Sequence, residues 1–334
     1  MRFFKFNIRK KLIENKAKEH VNVKKLFENY KDKKIVWFNV AESLSVFLDR
    51  KIDIDVKLQD DEYLFISSSQ ECDSMKNSEQ LLIENLWKNN IDLDKVYVVN
   101  SNHLGGTVNV KYIYWEYFET ALRLLEHKEI DISKKKHEKK FLCLNRVTRK
   151  HRVDFMSAMK NKNLLNYFNA SILNFNFDLN EKDNIKLTYD TDDKNTNWWF
   201  SIDEKFSYEN TIWIVTESVF NDDTDLCFLT EKTFKPILNL QPFTIVGNSG
   251  SLKLLHYLGY KTFESVLDET YDKITNPQER MMELVKIINS IIHTSHEDHV
   301  KIQKNLRNIL YHNHNHFLAP KAGRLNSFLE KLNY

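Results

Sequence analysis

Leu229-Thr-Glu-Lys-Thr-Phe-Lys-Pro236, followed a few residues on by the apolar run Gln241-Pro-Phe-Thr-Ile-Val-Gly247, is the stretch on which the fold of this chain turns. Thr230 suits a helix N-cap, Glu231 and Lys232 fall in the first turn, and Lys235 lies on the same face as Lys232. A helix N-terminus attracts anions, and two lysines beside it extend a surface suited to phosphate. The same residues also fit a capped surface helix with solvated charges. Just ahead, Thr211-Ile-Trp-Ile-Val-Thr-Glu-Ser218 reads as a buried strand that ends in polar groups. Strand, polar loop, helix, strand and glycine turn make an α/β unit, and such sheets hold ligands at the carboxyl ends of their strands.

Working outward, the second half opens with Lys140-Phe-Leu-Cys-Leu-Asn145, a strand running into Arg146-Val-Thr-Arg-Lys-His-Arg152 and a helix over 153–159. Residues 160–200 are polar and Asn-rich, ending in Trp198-Trp199-Phe200. Helices are predicted over 252–258, 278–294 and 298–312, the last reaching His312-Asn-His-Asn-His316, with a further helical segment over 322–333. The first half reads as a helix over 8–30, then strands over 34–40, 63–67 and 95–100. Between and after them come helices over 44–48, 78–90 and 112–126. Lys134-Lys-Lys-His-Glu-Lys-Lys140 reads as a solvated linker. The alternation predicts parallel, doubly wound sheets in two Rossmann-like domains. The boundaries expected are 1–138 for the first domain, 139–310 for the second and 311–334 for a helical tail crossing back to the first.

The 334 residues, 42% apolar, suffice for two such domains and exclude global disorder. A formal charge of +2 argues against a protein held to nucleic acid by bulk charge. The three cysteines, Cys72, Cys143 and Cys227, lack metal-ligand spacing and fit a reducing compartment. No run approaches the ~20 apolar residues of a membrane span, and no signal-peptide core is present. A cytoplasmic protein without a membrane span is therefore expected; oligomeric state stays open.

Acidic runs at Asn221-Asp-Asp-Thr-Asp225 and Asp190-Thr-Asp-Asp193 have the look of metal sites, but neither follows a clear strand, and no metal is expected. The alternating histidines of 312–316 fit a helix end better than a metal site. By contrast, Asn145, Arg146, Arg149 and Arg152 follow a strand and open a helix, so backbone N–H and guanidinium groups converge where an anion would sit.

This order of elements resembles the donor-binding half of α1,3-fucosyltransferases, over roughly residues 139 to 275. Their signature is a Glu-Asn-Ser strand end, a short loop and Tyr-(Val/Ile)-Thr-Glu-Lys; here Thr216-Glu217-Ser218 and Phe228-Leu229-Thr230-Glu231-Lys232 stand in those places. The loop between them is longer, and Glu217 replaces the asparagine. The resemblance implies a GT-B architecture of two domains facing a cleft. It also implies a metal-independent, inverting transfer from a nucleotide-sugar (GDP- or UDP-linked, a co-substrate rather than a cofactor) to a hydroxyl of a glycan. It places Arg152 on the donor phosphate, with Arg149 and Arg146 behind it, Glu231 on ribose hydroxyls, and Lys232 toward phosphate or sugar. Glu217 and Ser218 would line the same crevice, with Thr230 and Lys235 beside them. The general base would come from the first domain, where Glu42, His103 and Glu116 follow strands or open helices. The fucosyltransferases of the Golgi carry a membrane anchor, so a bacterial or phage-type protein fits better. Two other functions stay open: glycosylation of hydroxymethylated DNA bases, and non-catalytic nucleic-acid binding in which Trp198 and Trp199 stack on a strand.

Overall fold

Strands that are apolar along their whole length need a layer against each face, and the chain supplies them in alternation with helices. A computed structural model describes residues 2–6, 35–40, 42–68, 74–75, 78–107, 109–123, 129–145, 147–172, 204–293 and 295–319. The expected helix over 8–30, the segment 173–203, the tail 320–334 and Arg146 lie outside the described residues.

The chain divides into two compact units, one holding Met1–Ala121 with Asp225–Phe228, the other Leu122–Thr224 with Leu229–Ala319. In the first unit β1 (Arg2–Phe6), β2 (Ile35–Val40), α1 (Leu44–Asp49), β3 (Tyr63–Ser67), α2 (Glu79–Lys88), β4 (Val96–Asn100) and β5 (Lys111–Tyr114) follow one another. All five strands pair in parallel. The period-2 alternation sorts their side chains: Val36, Phe38, Leu64, Ile66, Val96 and Val98 pack with Leu44, Phe47, Leu82 and Leu86 of the two helices. The opposite face carries a cross-strand ladder in which the Trp37 ring stacks on Phe65 at 6.0 Å and Phe65 on Tyr97 at 4.8 Å. With α1 and α2 on one face, right-handed crossovers advance one way only, and the strand order is β1-β2-β3-β4-β5. The doubly wound order expected for both halves therefore occurs, among the described strands, in the second sheet alone.

That sheet is built from β6 (Lys139–Asn145), β7 (Phe168–Ile172), β8 (Asn210–Thr216) and β9 (Phe243–Val246), again all parallel. Its order is β7-β6-β8-β9, so the chain steps outward from β6 to β7 and then reverses across β6 to β8. The connecting helices are α4 (Lys150–Asn161), α5 (Glu204–Glu209), α6 (Glu231–Leu238) and α7 (Ser251–Tyr257), numbered after α3 (Tyr117–Arg123), which spans the division between the units. They are followed by α8 (Pro277–Ile292) and α9 (His296–Leu318). None of the described helices is long and apolar enough to cross a membrane.

Two expectations are corrected. The lysine-rich stretch 134–140 is no solvated linker. The division between units falls earlier, after Ala121, and the stretch is built into the second unit. Lys135 is buried, its ammonium donating to the carbonyls of Ser207 at 2.9 Å and Asn239 at 3.1 Å, while His137 is buried against the Thr211 hydroxyl. The lysine stem reaches two helix C-termini at once, those of α5 and α6, where a cation complements the exposed carbonyls. Second, the helix expected over 298–312 runs from His296 to Leu318, so the histidines of 312–316 lie in its last turns, the helix end expected of them. Nε2 of His312 meets the carbonyl of Gly259 and Nε2 of His316 that of Leu258, at 3.2 and 2.8 Å. Asn313 between them bonds both polar main-chain groups of Lys261, at 2.8 Å each. A Cβ added at Gly259, whose φ is +93°, would come within 2.7 Å of the His316 ring, so both the backbone turn and the close approach require glycine.

Burial pushes the Lys135 ammonium down to about 7. The folded chain then binds fewer protons than the unfolded chain between that value and the ordinary lysine range, so stability rises with pH across that window. Urea unfolding of the wild-type chain at pH 7 and pH 9 is expected to differ by roughly 2 kcal/mol from this group. In Lys135→Met the climb should flatten; equal slopes in the two proteins would assign the pH dependence elsewhere.

Candidate functional site

Where a parallel sheet reverses its winding, the loops at the carboxyl ends of the two central strands splay apart and leave a crevice. Here those strands are β6 and β8. The last residue of each is polar and buried, and the Thr216 hydroxyl donates to Asn145 Oδ1 across the two. Asn145 Nδ2 in turn donates to Cys143 Sγ at 3.3 Å. The turn after β6 leads through Arg149, the N-cap position of α4, into His151 and Arg152. Arg152 is only 2% exposed. One of its guanidinium nitrogens donates to the Val147 carbonyl at 3.0 Å, the other to the carbonyls of Thr216 and Glu217 at 3.1 and 3.2 Å. Its Nε is buried with no hydrogen-bond partner among the described residues. Burial lowers Arg152 to about 10, and Arg149 adds to that while Glu217 and Glu231 oppose it. Arg152 thus sews the β6–α4 turn to the end of β8. Arg149, half-buried, donates to the Ser218 carbonyl.

Glu217 is 1% exposed, and its carboxylate accepts four hydrogen bonds. Oε1 takes the Thr230 N–H at 3.0 Å and the Thr233 hydroxyl at 2.6 Å. Oε2 takes the Thr230 hydroxyl at 2.7 Å and the Ser218 N–H at 3.0 Å. The helix start expected to hold a phosphate is therefore already occupied by an anion from within the chain. Thr230 is the N-cap of α6, as its sequence position predicts, and its oxygen also accepts the Lys232 N–H at 3.4 Å.

Lys232 stands at the outer edge of this arrangement, its side chain 24% exposed. Its ammonium donates to Glu231 Oε1 at 2.9 Å, Thr230 Oγ1 at 3.0 Å and Ser218 Oγ at 3.3 Å. Glu231 is buried, and its Oε2 has no hydrogen-bond partner among the described residues. Burial alone would raise its carboxyl, but Lys232 and Lys235 outweigh it and hold the group below the usual carboxylate range. Lys235 does not join Lys232 at the surface; it is 3% exposed. The site thus has two layers: Arg152, Glu217, Glu231 and Lys235 underneath, and Arg149, Ser218 and Lys232 at the rim.

The loop after Ser218 is fixed by residues that the sequence did not single out. Phe220 lies between the His151 ring, stacked at 5.5 Å, and the Arg280 guanidinium at 4.5 Å. Arg280, wholly buried on α8, donates to the carbonyls of Ile274, Thr275 and Asn221 at 2.6, 2.9 and 2.8 Å. Asn221 and Asn248 exchange reciprocal bonds of 2.8 Å. Only the lone arginine on the apolar face of the 278–294 helix pattern could have drawn attention to Arg280. Among the described residues no group of three or more potential metal ligands gathers, and the acidic run 190–193 lies outside them.

Glu42, His103 and Glu116 follow the carboxyl ends of β2, β4 and β5, on one edge of the first sheet. Glu42 pairs with Arg50 at 3.0 Å. His103 sets its ring edge-on to Tyr114 at 5.1 Å, and its N–H donates to the Cys227 carbonyl at 3.0 Å. The Glu116 carbonyl accepts from Thr120 N at 2.9 Å and starts α3. The segment Asp225–Phe228 docks beside them because Asn102 Nδ2 donates to the Asp225 carbonyl at 2.7 Å while its Oδ1 accepts the Cys227 N–H at 2.9 Å. No known protein family matches the chain, and no curated protein matches it significantly.

His151 supplies a test of how tightly the crevice is built. Its Nε2–H reaches the Glu217 carbonyl at 3.0 Å. Burial pushes the imidazole down to about 4; the carbonyl bond opposes this, and Arg152 and Arg149 reinforce it. Its contribution to stability is then complete above the ordinary histidine value and lost as pH falls toward 4, on the order of 3 kcal/mol in all. Replacement by phenylalanine, which keeps the stack on Phe220, should remove most of the acid-induced drop in Tm between pH 6.5 and 4. An undiminished drop would show that other groups carry it.

Proposed function

We propose that the chain is a nucleotide-sugar-dependent glycosyltransferase of the two-domain GT-B type, its second unit holding the donor. The observation that carries this reading is the reversal of strand order between β6 and β8, with Arg149, Ser218 and Lys232 beyond their carboxyl ends on a buried, charge-compensated layer. An α/β sheet that carries basic groups at this place suits an anionic ligand with a hydroxylated body.

Transfer forms a bond between the acceptor oxygen and the anomeric carbon and breaks the bond from that carbon to the diphosphate, which leaves with the electron pair. Negative charge grows on the departing phosphate, and groups fixed in advance against it lower the barrier. Lys232 and Arg149 serve that purpose without a metal ion. Of the three acceptors around the Lys232 ammonium, Ser218 Oγ is the most distant, and it is the one a phosphate oxygen displaces. Glu231 holds Lys232 in place through Oε1, and its second oxygen is the acceptor for a donor hydroxyl. The acceptor hydroxyl gives up its proton to a general base, for which Glu42, His103 and Glu116 are the candidates, and its attack opposite the leaving diphosphate inverts the anomeric centre. A glycan hydroxyl is the acceptor.

Thermal-shift and calorimetric titrations with GDP, UDP, CDP and their sugars, with and without magnesium, test the donor assignment. One nucleotide should stabilise the chain selectively, and Lys232→Ala should lower kcat/KM for its sugar by roughly 10²–10³-fold. Indifference to all of them sinks the assignment, and salt-sensitive binding of single-stranded DNA would replace it with a nucleic-acid-binding protein. Glu42→Gln separates the candidate bases: donor affinity should persist while transfer collapses, and retained transfer moves the role to His103 or Glu116.

A further inference from the structure

We infer that Glu217 is a positioning and specificity-determining residue: its carboxylate closes the start of α6 to an anionic ligand and aims Lys232 as the group that meets one. The inference rests on the nucleotide-sugar reading of this site. Three features of the geometry lead to it.

First, the donors that would otherwise welcome a phosphate are spent. A phosphate oxygen and a carboxylate oxygen only accept, so they compete for the same N–H and O–H groups. Ser218 N–H, Thr230 N–H and the hydroxyls of Thr230 and Thr233 all point to Glu217, at 2.6 to 3.0 Å. Thr233 is wholly buried, so its hydroxyl has no solvent to turn to.

Second, the main chain that carries Glu217 is held at both its polar groups. Its N–H donates to the Val246 carbonyl at 2.9 Å, and its own carbonyl is held by His151 and Arg152. On the far side lies Gly247, where an added Cβ would stand 3.3 Å from that of Glu217. A larger residue there would press on the Glu217 stem.

Third, the same carboxylate orients the lysine. Glu217 Oε2 fixes both Ser218, through its N–H, and the Thr230 hydroxyl, and these residues provide two of the three acceptors around the Lys232 ammonium. Remove the carboxylate and the ammonium loses its frame, while the helix start regains its free donors. The residue thus decides on which side of α6 a phosphate binds.

The test compares the wild-type chain with Glu217→Gln by calorimetry, using inorganic pyrophosphate as probe alongside the nucleotide-sugar panel. The variant is expected to bind pyrophosphate at least tenfold more tightly and to lose nucleotide-sugar turnover. A lesion that merely loosened the fold would weaken both. Unchanged or weaker pyrophosphate binding overturns the inference. If the variant does not fold, a pyrophosphate titration of the ¹⁵N-labelled wild-type chain decides: the amide of Thr230, which donates to Glu217 Oε1, should hold its position. Large shifts there would mean that phosphate displaces Glu217, and the idea falls. The two failures are separable. A wild-type chain that binds a nucleotide-sugar while the variant gains nothing defeats only the role of Glu217. A variant that gains pyrophosphate affinity while no nucleotide binds the wild type defeats only the transferase reading.

Discussion

A carboxylate buried at the end of a strand must find hydrogen-bond donors, and Glu217 finds four of them. That requirement organises the second unit. It draws the start of α6 up to the end of β8, and it fixes which hydroxyls can turn toward the crevice. Arg152 answers it from the other side, donating to the main-chain carbonyls of Thr216 and Glu217 at the end of the strand. One acid and one base, each nearly excluded from water, thereby join β6, β8, α4 and α6 at a single place. Losing either would leave its partners unsatisfied in the interior, a far greater penalty than the loss of a surface ion pair.

The α/β alternation was legible because it is written in periodicity. Phe243–Val246 and Asn210–Thr216 are runs of buried residues flanked by polar turns, and both are strands where the pattern puts them. Thr230 was legible as a cap for the same local reason. What the sequence concealed is the partner of each polar group. Nothing local distinguishes Arg152, buried on carbonyls, from Arg149, near solvent, since they lie on one helix start three residues apart. Lys135 resembled its solvated neighbours because the C-termini of α5 and α6 that receive it arrive from residues some 70 to 100 positions later. Arg280 was invisible until Phe220 and Asn221 were brought to it. The winding of the first sheet was hidden likewise, because strand order depends on which face the helices choose.

α6 is consequently held at both ends. Its N-terminus is held by Glu217 and the carbonyl of its C-cap, Asn239, by Lys135, while Pro236 within it removes the backbone donor that would have met the Lys232 carbonyl. A short helix alone is marginal in water, so these two anchors, more than its own propensity, keep Lys232 at a fixed place. The arrangement places the rigid part of the site underneath and leaves the exchangeable contact, Lys232 to Ser218, at the surface.

The segment Asp225–Phe228 has a consequence for the birth of the protein. It belongs to the first unit, yet roughly a hundred residues separate it from Ala121, where the long first stretch of that unit ends. At a synthesis rate of about 5–20 residues per second, the nascent first unit waits on the order of ten seconds for it. Throughout that interval the Asn102 amide waits for two of its main-chain partners, the Asp225 carbonyl and the Cys227 N–H. The two units are therefore interleaved in time as well as along the chain. A polypeptide cut cleanly between them would leave the first one permanently in the state that the ribosome makes only temporary.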